Sequence, residues 1–157
     1  MTVVGACLGP RIARTSMSIE GTWYNELGSQ MNISISGSTI SGTYVTAVGS
    51  ASGTYVLVGQ VDTQPAAGGQ AAGWTVIWAN ASGSSHSVTT WSGQYQESEG
   101  QEEILTFWLL TAEQLPQNDW AATNVGQDVF MRVQPSQDRI NQARKRRSAA
   151  HPQLASK

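Results

Sequence analysis

The chain has 157 residues, enough for one domain with its own core, and 39% of them are hydrophobic. No apolar run approaches the ~20 residues of a membrane-spanning helix, so no membrane role is expected. The formal charge of −2 hides an asymmetry: residues 19–135 carry ten acids against one base, Arg132, while residues 136–157 carry Asp138 against six bases. An acidic body argues against nucleic acid as a partner. One cysteine, Cys7, excludes an internal disulfide and a cysteine-built metal cluster.

In chain order, residues 1–18 read as an irregular head. Its apolar stretch from Val3 to Leu8 is short, and Arg11 and Arg14 follow it instead of preceding it, which is not the pattern of an export signal. Eight strands follow, at 19–25, 31–36, 39–48, 54–62, 73–80, 85–96, 102–111 and 125–134, separated by turn residues. The Gly-, Ala- and Pro-rich stretch 63–72 reads as a loop, and 114–124 as a loop with one helical turn. Evenly spaced antiparallel strands favour an all-β, eight-stranded up-and-down barrel, which leaves no exposed edge, although a sandwich gives much the same pattern. After Pro135 the alternation stops. Residues 136–157 read as a basic tail with a short helix at 138–147 and a disordered end with little to bury.

Residues two apart share a strand face. Read this way, Trp74, Val76 and Trp78 lie together, as do Ser87, Thr89 and Trp91, and Tyr44, Thr46 and Val48. Trp108 pairs with Leu110, and Trp23, Asn25 and Leu27 lead to Ser29. Hydroxyls and an amide thus lie among aromatic rings. A purely structural core would be aliphatic, because each buried polar group without a partner costs about 1–3 kcal/mol. Turning these faces outward would instead expose several indoles at once. The mixture points to a cavity at one end of the barrel that holds a partly polar ligand.

Several stretches are specific. They are Gly21-Thr22-Trp23-Tyr24-Asn25-Glu26-Leu27-Gly28-Ser29, Gly42-Thr43-Tyr44 with Ala47-Val48-Gly49, and Gly73-Trp74-Thr75-Val76-Ile77-Trp78. To these add His86-Ser87-Val88-Thr89-Thr90-Trp91-Ser92-Gly93-Gln94-Tyr95, Trp108-Leu109-Leu110-Thr111, Trp120, and Val125-Gly126-Gln127-Asp128. In order and spacing, from about residue 19 to 136, the set resembles the avidin/streptavidin family, most of all its streptavidin members. The resemblance implies a closed barrel that binds biotin and catalyses nothing. It implies that Asn25, Ser29 and Tyr44 donate to the ureido oxygen, and that Thr46 and Asp128 accept from the ureido N–H groups. Thr89 would meet the thioether sulfur. Ser87 and the Ser50 backbone N–H would meet the carboxylate. Trp78, Trp91, Trp108, Leu110 and Leu27 would wall the ligand, with Val48 and Gly49 from a lid loop. Trp120 would enter a neighbouring subunit's pocket, implying a homo-oligomer, most simply a tetramer, and a secreted, biotin-sequestering role. Trp23 and Trp74 read better as core.

The match has departures. Thr46 stands for a serine, Ser50 for an asparagine, Ser85 for an alanine and Gln127 for a histidine. The tail contains His151-Pro152-Gln153, which resembles peptides that compete for such pockets, so the tail is a candidate self-ligand. An enzyme is a weak rival: the two histidines, His86 and His151, and Cys7 assemble no nucleophile–base pair and no metal set, and no cofactor is expected. A lipocalin-like carrier would explain a cavity but not the ordered set Asn25, Ser29, Tyr44 and Asp128.

Overall fold

The computed structural model describes residues 18–49 and 51–147. Eight antiparallel strands run in order: β1 (Gly21–Asn25), β2 (Gln30–Ser36), β3 (Thr39–Val45), β4 (Tyr55–Val61), β5 (Gln70–Asn80), β6 (Gly83–Ser98), β7 (Gln101–Ala112) and β8 (Thr123–Met131). Each pairs with its neighbour, and β8 returns to β1 through Tyr24 opposite Met131 and Asn25 opposite Phe130. That closure decides for the barrel over the sandwich. Alternation does the rest: in β7, Ile104, Thr106, Trp108 and Leu110 are buried while Leu105, Phe107 and Leu109 face out.

Strand ends shift from the sequence expectation for local reasons. β3 stops at Val45 because the Thr46 hydroxyl donates to the Val48 carbonyl and accepts from the Val48 N–H, a local turn that competes with the ladder. β5 starts at Gln70, inside the expected loop, because the long β6 offers partners as far as Tyr95. Residues Pro116–Ala121 form a 3-10 helix, with proline where a missing N–H costs nothing. The helix α1 (Gln137–Arg147) occupies the first half of the tail, close to the short helix expected at 138–147. The head 1–17 and the end 148–157 lie outside the described residues.

The core fills the barrel in two zones. At the end holding the β6–β7 hairpin, Trp23 and Tyr95 meet edge to face at 5.9 Å, with Ile19 and Ile104 also fully buried. Arg132 plugs this end. Its guanidinium lies 3.7 Å from the centre of the Trp23 ring. It donates to both Glu102 oxygens, at 3.0 and 3.1 Å, and to the carbonyls of Ser18 and Glu20 at 2.8 Å. One cation thus joins the end of β8, β7 and the approach to β1. Among the described residues, Trp23 is the core indole expected from the sequence, with its N–H donating to the Ile19 carbonyl, and Trp74 is buried likewise.

Arg132→Ala should cost about 2 kcal/mol, since it leaves Glu102 and two carbonyls short of donors. The arginine holds the Glu102 carboxyl below its ordinary range. Its contribution is therefore present above the unfolded carboxylate pKa and lost as pH falls through the lowered folded value. Burial, then the bond to Glu102, pushes the Tyr95 hydroxyl up to about 12. That contribution is present below the unfolded phenol pKa and lost as pH rises through the folded one. Thermal unfolding followed against pH should show both flanks in the native chain and a flattened acid flank in Arg132→Ala.

Candidate functional site

The second zone lies toward the other end, where the β1–β2, β3–β4, β5–β6 and β7–β8 connections gather. Its floor is aromatic. Tyr44 stacks on Trp91 at 5.3 Å and 27°, and meets Trp78 edge to face at 5.7 Å. Trp91 in turn stacks on Trp74 at 6.2 Å, so Trp74 supports the floor from below. Trp108 and Leu110, both buried, continue the wall along β7. Gly126 makes room for this: any Cβ there would overlap the Trp108 indole.

The polar groups among these rings are each half used by the protein. The Asn25 Oδ1 accepts from the backbone N–H groups of Leu27, at 3.1 Å, and Ser29, at 2.8 Å. Two backbone donors fix which amide atom is oxygen, and leave the side-chain NH2 turned away from the turn. The Ser29 hydroxyl accepts from the Ala47 N–H at 3.1 Å, which leaves its proton to be donated elsewhere. Thr89 accepts from the Trp78 indole N–H at 2.8 Å, and its proton is likewise available. Burial, then the facing Asp128 carboxylate, pushes the Tyr44 hydroxyl well above the usual phenol range, against a hydrogen bond from Ser29 that pulls it down. Tyr44 is therefore a protonated donor at any physiological pH.

Asp128 is 1% exposed, and its Oδ2 accepts from the Trp91 indole N–H at 2.9 Å. Thr106 donates to its backbone carbonyl at 2.9 Å, fixing the strand that carries it. Thr46 behaves differently from the other hydroxyls. Its proton is committed to Val48, so it has only acceptor capacity to offer.

Of the residues singled out in the sequence, Asn25, Leu27, Ser29, Tyr44, Val48, Trp78, Thr89, Trp91, Trp108, Leu110 and Asp128 are buried in this barrel. Thr46 and Ser87 are half-buried at its rim, and Gly49 is exposed in the lid loop with a φ of 79°. Trp120 is apart from them, 83% exposed on the 3-10 helix. Ser50, His151, Pro152 and Gln153 lie outside the described residues.

Chicken (Gallus gallus) proteins and one family profile share this chain's pattern. The profile of the Avidin family matches residues 13–133, the head's end and the whole barrel. The chain belongs to the avidin family. It is 32% identical to chicken avidin over 146 residues, covering 85% of this chain and 90% of that protein. It is 34% identical to chicken avidin-related protein 4/5 over 133 residues, covering 82% and 86% of the two chains. Avidin-related protein 2 of the same bird is 32% identical over 133 residues, covering 81% and 85%.

Beyond what sequence reasoning found, this avidin-family barrel has supporting residues outside the cavity. Glu26 accepts from the Val129 N–H at 3.0 Å and so ties the β1–β2 turn to the strand bearing Asp128. On α1, Ile140 is buried where Gly28 and the Ala47 methyl converge, and Arg144 donates to the Ala47 carbonyl at 3.0 Å. The helix thus braces Ala47, the residue whose N–H is donated to Ser29. A lone apolar residue in a strongly charged helix carried no periodic signal for this. Ile140→Ser should release the brace, removing about 2 kcal/mol of apolar burial. Hydrogen exchange at the Ala47 and Val48 amides should accelerate at least tenfold, while amides at the centres of β5 and β6 keep their rates.

Proposed function

We propose that this protein binds biotin non-covalently in the barrel, with high affinity and without chemistry, biotin being ligand and not cofactor. The observation that carries the reading is the placement of donors and acceptor. Asn25 and Tyr44 each have a proton to give, Ser29 can turn toward a ligand oxygen the proton it gives to Tyr44, and Asp128 is a buried carboxylate on the strand that pairs with β1. A urea needs that arrangement: several donors around one oxygen, and strong acceptors for its N–H groups. Thr46, restricted to accepting, suits the second N–H. Thr89, with a proton to give, suits a thioether sulfur. The indoles of Trp78, Trp91 and Trp108, with Leu110 and Leu27, supply walls for the apolar rings and chain. Val48 and Gly49 close from the lid, and Ser87 and the Ser50 N–H take the carboxylate.

The chain works as an oligomer, a tetramer of two dimers, in which Trp120 enters a neighbour's pocket. Support comes from the apolar outer face: Val56, Val58 and Ile77 on β4 and β5, and Phe107, Leu109 and Val125 on β7 and β8, are more than half exposed in the single chain. Secretion and sequestration of biotin from competing cells complete the proposal, the binding unit being residues 19–135. In the same reading, His151-Pro152-Gln153 is a weak competitor tethered to the pocket.

Calorimetric titration should find one biotin per chain. Asp128→Ala should weaken it by about 2–4 kcal/mol, the cost of losing a charged partner to a buried N–H. Asn25→Asp is the sharper variant, since a carboxylate keeps both acceptor bonds to Leu27 and Ser29 but has no NH2 to give. Its biotin affinity should fall at least as far as in Asp128→Ala. A wild-type chain, truncated after Arg147 to remove the tail, that takes up no biotin would sink the reading. Trp120→Ala should raise the biotin off-rate and leave the stoichiometry at one.

A further inference from the structure

The face that α1 turns to the barrel is small. Ile140, Ala143 and Arg144 follow one another along it at helical spacing. Ile140 is buried and Ala143 half-buried, while Arg139, Lys145 and Arg146 are exposed. The helix starts at Ser136, whose hydroxyl accepts from the Arg139 N–H at 3.4 Å and whose carbonyl accepts from the Ile140 N–H at 3.0 Å. A helix of eleven residues is marginal in water by itself. The described contacts that hold it to the barrel are Ile140 at Gly28 and the Arg144 bond to Ala47. An element held by so little opens at a small fraction of the cost of unfolding the barrel.

Both contacts fall on residues that hold the polar end of the pocket. A Cβ at Gly28 would lie 2.9 Å from the Ile140 Cδ1, so the isoleucine rests directly on the glycine's backbone. The Gly28 N–H donates to the Asn25 carbonyl at 3.0 Å, within the turn whose Leu27 and Ser29 N–H groups donate to the Asn25 Oδ1. Arg144 donates to the Ala47 carbonyl at 3.0 Å, and the Ala47 N–H donates to the Ser29 hydroxyl at 3.1 Å. The Ser29 hydroxyl in turn bonds to Tyr44. The proposed ureido donors Asn25, Ser29 and Tyr44 are thus joined to the helix through Gly28 and Ala47.

We infer that α1 is a clasp on ligand release: Ile140 and Arg144 are positioning residues that hold Gly28 and Ala47, and through them Asn25 and Ser29, so that docking of the helix slows the departure of the ligand. The inference rests on the biotin reading of the pocket. With α1 docked, the donors are aimed before the ligand arrives. With α1 released, the β1–β2 turn and the segment after β3 regain freedom that the ligand must then remove. The helix adds no contact to the ligand itself, so its effect falls mainly on the off-rate. Linkage makes the effect reciprocal. A ligand that binds more tightly while the helix is docked must hold the helix down by the same factor.

The experiment follows the exchange of labelled for unlabelled biotin on the full-length wild-type, Ile140→Ser, Arg144→Gln and Arg144→Lys chains. Ile140→Ser should release biotin about fivefold faster or more, and Arg144→Gln about threefold faster. Arg144→Lys keeps a donor for the Ala47 carbonyl and should stay within about twofold of wild type. Arg144 is exposed, so its variants carry the test if Ile140→Ser unfolds. With Ser29→Ala already present, adding Arg144→Gln should change the off-rate by less than about twofold, because the route from Ala47 to the ligand is gone. In the wild-type chain, saturating biotin should slow hydrogen exchange at the amides of residues 141–144 by about fivefold. Off-rates within twofold of wild type in both Ile140→Ser and Arg144→Gln overturn the clasp and leave biotin binding standing. So does α1 exchange that biotin leaves unchanged, or an Arg144→Gln effect that persists without Ser29 or that lysine does not rescue. If the wild-type chain takes up no biotin, the biotin reading itself fails and takes the clasp with it.

Discussion

The seam between β1 and β8 is the constraint on which the rest of the barrel depends. β1 is only five residues long, and just two of them pair with β8. Every other junction in the barrel has longer pairing; β6 and β7 run together over twelve residue pairs. A seam this short would open without help, and help comes from side chains at both ends. Arg132 reaches from β8 to the carbonyls of Ser18 and Glu20, and Glu26 reaches back to the Val129 N–H. The two residues nearest the proposed ureido site, Asn25 and Asp128, sit on the two strands of that seam. Stabilising the closure and positioning the polar groups are therefore one task, and a barrel that loosened here would lose its pocket geometry before it lost its fold.

The pocket's selectivity comes from how its protons are distributed. Each polar side chain spends one function on the protein and keeps another. Asn25 spends its oxygen on the turn, Ser29 and Thr89 spend an acceptor lone pair, and Thr46 spends its proton. The partners on the protein side are backbone amides and an indole fixed by strand packing, so the remaining functions are already aimed. Donors that need no reorganisation give most when surrounded by low-polarity walls, and here the walls are indoles. Tyr44 illustrates the economy of the arrangement. Burial and the nearby Asp128 carboxylate, which would be costly beside an ionised phenol, simply keep the tyrosine a donor.

Much of this was legible in the sequence, and the limits are physical. Period-two alternation located all eight strands, and parity placed Trp78, Trp91, Trp108 and Thr89 on the inner face, while Asp128 was singled out only by the family resemblance. It could not distinguish a barrel from a sandwich, since that depends on whether β8 meets β1. Strand ends misread where a local bond or a long partner overrode propensity: Thr46 stopped β3 early, and β6 drew Gln70, Ala71 and Ala72 into β5. The contacts of the Ser85 hydroxyl with the Trp78 carbonyl and the Ser87 hydroxyl were out of reach, because they follow from an irregular register and one positive φ. The sequence marked Ser85 only as a serine in an alanine's place.

The same argument explains how a charged helix comes to matter to an apolar pocket. α1 carries Arg139, Arg144, Lys145, Arg146 and Arg147, and among its described side chains one is buried, Ile140. Such a helix has little stability alone, and the acidic barrel attracts it only as strongly as salt permits. Its placement is set by two short-range contacts, the Ile140 side chain at Gly28 and Arg144 on the Ala47 carbonyl. Gly28 has a φ of 89°, so the turn that admits Ile140 is the turn that Asn25 organises from the inside. Ala47 is held from outside by the helix and from inside by Ser29. The segment after β3 therefore begins at a residue, Ala47, fixed on both faces, while its neighbours Thr46 and Val48 are tied to each other.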